Sequence, residues 1–186
     1  MSLHHDHVRG GELRQRVRQV ARSVVGLALL LAACGGASTV APPPSSQSTL
    51  LGKPAPEFKR PALDGPSRVD IASARGKVVV VKFFARYCEP CKRTLPAIER
   101  FHGEHPEVVV VGVSEDEREA EARELVAEYK LSFPVVHDAQ QVLAARYRVR
   151  DLPMTFVLDG QGRVTWVGGP EKTEAELLQA IAATRP

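Results

Sequence analysis

Cysteine is scarce in this chain of 186 residues: there are three, at positions 34, 88 and 91. Cys34 belongs to an N-terminal targeting segment described below. The folded body therefore keeps only Cys88 and Cys91, and no framework of structural disulfides can staple it. Its core must come from apolar packing, which a body of this size can supply. Long apolar runs are missing too. The run ahead of Cys34, residues 23–33, has about 11 residues where a membrane-spanning helix needs about 20, which argues against a transmembrane anchor. Net charge is almost absent from the body. Arg9, Arg14, Arg16, Arg18 and Arg22 against Asp6 and Glu12 account for the whole formal charge of +3, and the rest of the chain holds 20 basic and 20 acidic residues. No cationic excess is left for a nucleic-acid face. No twin arginine occurs in the basic segment, which favours general secretion over export of a folded protein.

What the chain does have is Cys88-Glu89-Pro90-Cys91, set between an apolar run over residues 78–84 and a helical pattern over residues 92–102. At a strand-to-helix junction this spacing puts Cys88 at the helix N-terminus and Cys91 one turn further in. Free backbone N–H groups and the positive end of the helix dipole face Cys88 and favour its thiolate. Cys91 shares a helix face with Leu95 and Ile98 and is expected to be covered. One exposed, activated sulfur beside one shielded sulfur is what disulfide exchange requires, with Cys88 attacking and Cys91 resolving. Structural zinc is the competing reading, because His102 and His105 follow. The gaps of ten and two residues are both shorter than zinc-finger spacing, about 12 and 3–5. Along a helix His102 would lie roughly 16 Å from Cys91. The histidines read as solvated groups at a helix end.

Residues 1–33 combine a basic segment, a short apolar core and small residues, the layout of a secretory signal. Leu31-Ala32-Ala33-Cys34 resembles a bacterial lipobox, in which Cys34 becomes lipidated. Residues 34–49, with Pro42-Pro43-Pro44, read as a lipidated cysteine and a Gly/Ser/Pro tether that buries no core. Residues 50–186 read as one domain. Its prolines at 54, 56, 61 and 66 confine early strands to short or edge positions, with residues 69–71 alternating like one of them. Residues 78–84 read as a central parallel strand, and Pro96 should kink the helix that follows. Residues 108–113 read as a second buried strand. Ser114 with Glu117 reads as a capping box for a helix bearing Ala122, Leu125, Val126 and Tyr129. A short strand over 133–136, a helix opened by Asp138 and Gln141, a hairpin of 154–158 with 163–167, and a last helix capped by Thr173 and Glu176 complete the order. That order predicts an α/β fold, a mixed central sheet with helices on both faces.

The domain also resembles the TlpA/ResA-like branch of the thioredoxin superfamily, within its redoxin (AhpC/TSA-like) group of thiol-disulfide oxidoreductases. The resemblance lies in Gly52-Lys53-Pro54-Ala55-Pro56-Glu57-Phe58, Arg75-Gly76-Lys77, Cys88-Glu89-Pro90-Cys91, Pro96, Phe133-Pro134-Val135-Val136 and Leu152-Pro153-Met154-Thr155-Phe156. It implies a thioredoxin fold with an N-terminal β extension and a helix insertion. It also implies a cis peptide bond before Pro153, lying against the redox-active pair and pairing with extended substrate. Three positions depart from the family pattern. Tyr87 replaces its tryptophan, Thr94 replaces the buried glutamate of ResA-type proteins, and Lys82 replaces a buried aspartate or asparagine. The usual proton-relaying carboxylate is therefore missing.

The resemblance implies a membrane-tethered, extracytoplasmic reductase of protein disulfides, acting on apocytochrome c or copper-handling proteins and re-reduced by a membrane thiol reductase. No cofactor is implied. Glu89 and Pro90, beside Cys88, are expected to hold its thiolate less firmly than strong oxidants of this fold do. Two other classes are weighed. A peroxiredoxin-like peroxidase would need proline and threonine at positions 81 and 85, which are Val81 and Ala85 here. A copper-binding module would use Cys88, Cys91 and His137, the last of which also reads as a surface residue. Lys82 has two readings: an ammonium held beneath the cysteines as proton acceptor for Cys91, or a buried stem whose ammonium reaches water.

Overall fold

The computed structural model describes residues 48–184. The signal, Cys34 and nearly all of the tether lie outside the described residues. Among those described, no helix is long and apolar enough to cross a membrane.

The fold grows from β3 (Val79–Phe84), preceded by β1 (Lys59–Pro61) and β2 (Arg68–Asp70). Every residue of β3 is buried, as its valines and phenylalanines require of a strand covered on both faces. It pairs in parallel with β4 (Val109–Ser114) and antiparallel with β6 (Met154–Leu158). Adding β5 (Val135–His137) beside β4 and β7 (Val164–Gly168) beside β6 gives a five-stranded mixed sheet, ordered β5-β4-β3-β6-β7. The predicted sheet and hairpin are thus present. The turn of the hairpin is tied by the Asp159 carboxylate, which accepts from the N–H groups of Gln161 and Arg163.

The period of two along β3 divides the core. Val79, Val81 and Phe83 pack with Phe156, Leu143 and Tyr147. Val78, Val80 and Phe84 pack on the other face with Cys91, Leu95, Ile98 and Phe101. Those four belong to α1 (Glu89–Glu104), whose buried residues recur every three or four positions. The second face also takes Ala122 and Leu125 of α2 (Glu119–Glu128) and Ile181 of α4 (Glu174–Thr184). The first face takes α3 (Val142–Tyr147) and the N-terminal extension, where β1 and β2 form a separate hairpin. Gly112 of β4 is needed where it stands, since a Cβ there would lie 2.9 Å from both Phe84 and Val135.

One local expectation fails. Ser114 does not cap a helix: it ends β4, paired with Phe84 on one side and His137 on the other. Its hydroxyl donates to Asp116 instead, and α2 starts five residues later, where the Glu121 carboxylate accepts from the Arg118 N–H. Strand pairing on both sides outweighs one side-chain cap. The caps at Asp138 and Thr173 do form. Asp138 Oδ2 accepts from the N–H groups of Leu143 and Ala144, and Thr173 and Glu176 exchange side-chain-to-backbone bonds.

Candidate active site

β3 ends at Phe84, and four residues later Cys88 starts α1 as its N-cap. The intervening loop is fastened to the loop that follows β4, because the Arg86 N–H donates to Asp116 Oδ1 at 2.7 Å. Cys88 and Cys91 form a disulfide, with Cα atoms 5.2 Å apart. The Cys91 N–H donates to Cys88 Sγ at 3.1 Å, the N-cap contact that would hold a thiolate after reduction. Cys91 is fully buried, as expected. Cys88 is more shielded than expected, only 6 % exposed. Its access is through a groove of about 840 Å³ lined by Tyr87, Cys88, Pro90, Glu115, Asp151 and Leu152, among others. The Leu152–Pro153 peptide is cis.

Other anticipated residues fall differently. Glu89 is exposed and bonded to Lys92 Nζ at 2.7 Å, which pulls its carboxyl below the ordinary range and offsets its charge. Tyr87 stands out at 67 % exposure beside the groove, its phenol pushed up by partial burial and then by Glu115, Asp116 and Glu117. Lys82 lies on the α1 face of β3, as predicted, but its ammonium does not reach bulk water freely: the residue is 5 % exposed, and burial pushes its pKa down to about 8. His102 is not simply solvated. Its ring meets the edge of Phe133 with Nδ1 buried. His137 is half-buried, Nε2 lying 2.7 Å from the Asp116 carbonyl oxygen. Among the described residues no three His, Cys, Asp or Glu side chains converge as a metal site would need.

The groove residue that sequence reasoning missed is Glu115. It lies just past β4, at the carboxyl end of the strand beside β3, where open α/β sheets form their binding crevices. That position was the available signal, and the supposed Ser114 cap masked it. Glu115 is 6 % exposed, lines the Cys88 groove, and its Oε1 has no hydrogen-bond partner among the described residues. Loss of hydration, followed by repulsion from Asp138, raises its pKa to about 7. The fold thus favours the neutral carboxyl. The stability linked to this group is full below the unfolded value near 4.5 and is lost as pH rises through about 7. Glu115→Gln is therefore expected to match the wild type in denaturant melts at about pH 3.5, below the unfolded value. At pH 8 it should exceed it by about 1–2 kcal/mol, allowing for screening by groove water.

The model of the AhpC/TSA family matches residues 51–167, well over half of the chain. The chain belongs to this family. Within it, the thiol-disulfide oxidoreductase ResA of Halalkalibacterium halodurans is 31% identical over 162 residues, covering 86% of this chain and 92% of that protein. ResA of Geobacillus thermodenitrificans is 27% identical over 94% of this chain and 100% of its own. A secreted disulfide oxidoreductase of Mycobacterium tuberculosis, homologous to E. coli DsbE, superposes with a TM-score of 0.62 at 29% identity, covering 68% of this chain and 95% of that one. This AhpC/TSA family member is thus a ResA-like thiol-disulfide oxidoreductase with a thioredoxin fold, and its Cys88–Cys91 pair matches that chemistry.

Proposed function

We propose that the protein is a membrane-tethered, extracytoplasmic reductase of protein disulfides, built as a signal (residues 1–33), a lipidated Cys34 with its tether (34–49) and the redox domain (50–186). The observation that carries the redox chemistry is the N-capping Cys88 sulfur opening on a groove while Cys91 is sealed beneath it. In the reduced protein the Cys88 thiolate attacks one sulfur of a substrate disulfide. A new S–S bond forms, and the other substrate sulfur leaves as thiolate. Cys91 then loses its proton and attacks Cys88 Sγ, releasing the second substrate thiolate and leaving the intramolecular disulfide. Two electrons have passed to substrate and the one proton of Cys91 has been released, and a membrane thiol reductase must return the electrons. Extended substrate lies along the Pro153 loop. The resemblance supports apocytochrome c or copper-handling proteins as substrates. Val81 and Ala85 are wholly buried apolar residues where a peroxidase would place its proline and threonine.

Pro90 supports the reducing direction, since it has no N–H to offer the thiolate. Glu89 supports it less than its position suggests, being paired with Lys92. A thiolate held by so few donors is a poor leaving group, and such a site holds its electrons loosely. The midpoint potential, measured against glutathione or dithiothreitol, should fall nearer thioredoxin at about −270 mV than the strong oxidants of this fold at about −120 mV. A value close to the latter would refute the reductase assignment.

Membrane tethering rests on Leu31-Ala32-Ala33-Cys34. Several acyl chains anchor stably where one does not. Cys34→Ala should move the protein from the membrane to the soluble fraction. Retention of the variant after high-salt washing would contradict lipidation.

A further inference from the structure

A second cavity shares no lining residue with the Cys88 groove. Leu152 lines the groove and Pro153 lines this cavity, so the two back onto one another across a single peptide. The cavity is about 60 Å³, walled chiefly by Ile98 and Phe101 of α1, Trp166 of β7 and Leu177 of α4. Into these apolar walls β3 places Lys82.

A lysine 95 % buried normally has a counter-ion. Lys82 has none: no described residue accepts a hydrogen bond from its ammonium or forms an ion pair with it. The charged groups at the cavity rim are committed elsewhere. Glu174 is held by Arg100 at 3.1 Å, and Lys172 by Glu176 at 2.9 Å. The Thr94 hydroxyl donates to the Cys91 carbonyl oxygen at 3.0 Å. Burial lowers the lysine to about 8, which still leaves it mostly charged at neutral pH. A buried, unpaired cation in an apolar chamber is a site for an anion.

Size and polarity narrow the class. At about 10–15 Å³ per water-sized probe, a 60 Å³ cavity takes roughly four to six non-hydrogen atoms. Sulfate and phosphate have that atom count, but they would bring two charges to a chamber that offers, among the described residues, one unpaired ammonium and the Thr155 hydroxyl. A carboxylate on a two- or three-carbon stem fits both features: oxygens on the ammonium, methylenes against Trp166, Ile98 and Leu177. A chain lying in the Cys88 groove is separated from the cavity by the Leu152–Pro153 loop, so the occupant is a free molecule. We propose that this pocket binds a free short-chain aliphatic carboxylate, with Lys82 as its counter-ion.

The site holds whichever way electrons flow through the cysteines, and its test needs no exchange reaction. The oxidised full-length protein, carrying labelled lysine, is titrated with butyrate and separately with 1-butanol, and the Lys82 side-chain and Trp166 indole resonances are followed by NMR. Butyrate should give saturable shifts at both residues and raise the Lys82 pKa. Butanol should bind at least about tenfold more weakly. Lys82→Met should lose the butyrate-dependent Trp166 shift. Thr94→Glu, which tethers a carboxylate inside the pocket, should raise the Lys82 pKa without ligand and block butyrate. Equal binding of butanol, a Trp166 shift that survives Lys82→Met, or no saturable shift at all would each overturn the assignment. So would displacement of butyrate by a blocked glutamyl peptide of equal affinity, which would hand the site to protein side chains.

Discussion

Replacing Cys88 with serine is expected to bring disulfide reduction down to the uncatalysed rate, whereas Cys91→Ser should halt after one attack and accumulate a covalent adduct. The asymmetry follows from where the two sulfurs sit. Cys88 Sγ occupies the N-cap of α1, accepting from the Cys91 N–H at 3.1 Å, and opens on the groove. Serine is a favoured N-cap, so Cys88→Ser preserves the helix start and removes only the thiolate. The loss should be several orders of magnitude, as for other catalytic nucleophiles. Cys91 is sealed from solvent and can reach only Cys88. Without it the mixed disulfide has no internal resolver. Non-reducing gels with a disulfide-bearing protein substrate should show adducts for Cys91→Ser and almost none for Cys88→Ser. The opposite pattern would reverse the assignment of nucleophile and resolver. Because both variants lack the disulfide, their stabilities are to be compared with the reduced wild type.

Lys82→Met is expected to make the protein more stable and a worse enzyme. Burial moves the lysine from 10.5 to about 8, so the folded state disfavours the ammonium. A base with a depressed folded value adds no penalty above its unfolded value. Its penalty grows as pH falls from about 10.5 to about 8 and is complete below that. At 1.36 kcal/mol per unit, the penalty at pH 7 is about 3 kcal/mol. Methionine has similar length and no charge, so the variant should gain about that amount at pH 7, roughly 10 °C in Tm for a domain of this size. The gain should shrink above pH 8 and vanish beyond about 10.5. Equal stability at pH 7 would show that the ammonium is hydrated through its pocket. The chemistry should move the other way. We propose that Lys82 stands in for the missing carboxylate: its ammonium stabilises the cysteine thiolates, and its neutral amine, the minority form below about pH 8, takes the proton from Cys91 during resolution. A charge held within about 6–7 Å of the sulfurs, at an effective dielectric near 20, would be worth up to about 2 pKa units. Lys82→Met should therefore raise the cysteine pKa values and slow resolution of the mixed disulfide, both read by pH-dependent thiol alkylation and stopped-flow exchange. Unchanged values would confine Lys82 to a structural role.

Glu115 faces Cys88 from the groove side, apart from Cys91. With a pKa raised to about 7, it can hold or release a proton near Cys88 at neutral pH. It and Lys82 are ionisable groups on separate cavities, both shifted toward neutrality by lost hydration.

The sequence by itself determined whatever depends on neighbours along the chain. The valines and phenylalanines before Cys88 make a buried strand in any context that covers both faces. The three-residue spacing of Cys88 and Cys91 fixes one sulfur at a helix start and the other a turn inside it. Asp159 to Arg163 forms its turn from local bonds, and Thr173 with Glu176 caps α4 the same way. Tertiary structure decided what depends on partners far away in sequence. Ser114 was free to cap a helix until β3 and β5 paired with it on both sides. Its conversion to a strand end turned Glu115 into the groove, where the lost hydration that raises its pKa comes from residues some 25 to 35 positions away. The fate of Lys82 depended on whether α1, β7 and α4 would leave its ammonium a path to water. They left it only a narrow pocket of about 60 Å³, because their apolar faces bury more favourably against one another than a wide channel for one cation would allow. Local pattern sets which backbone forms and which side chains share a face. Hydration and charge at the site belong to the packed whole, since both depend on which distant groups exclude water there.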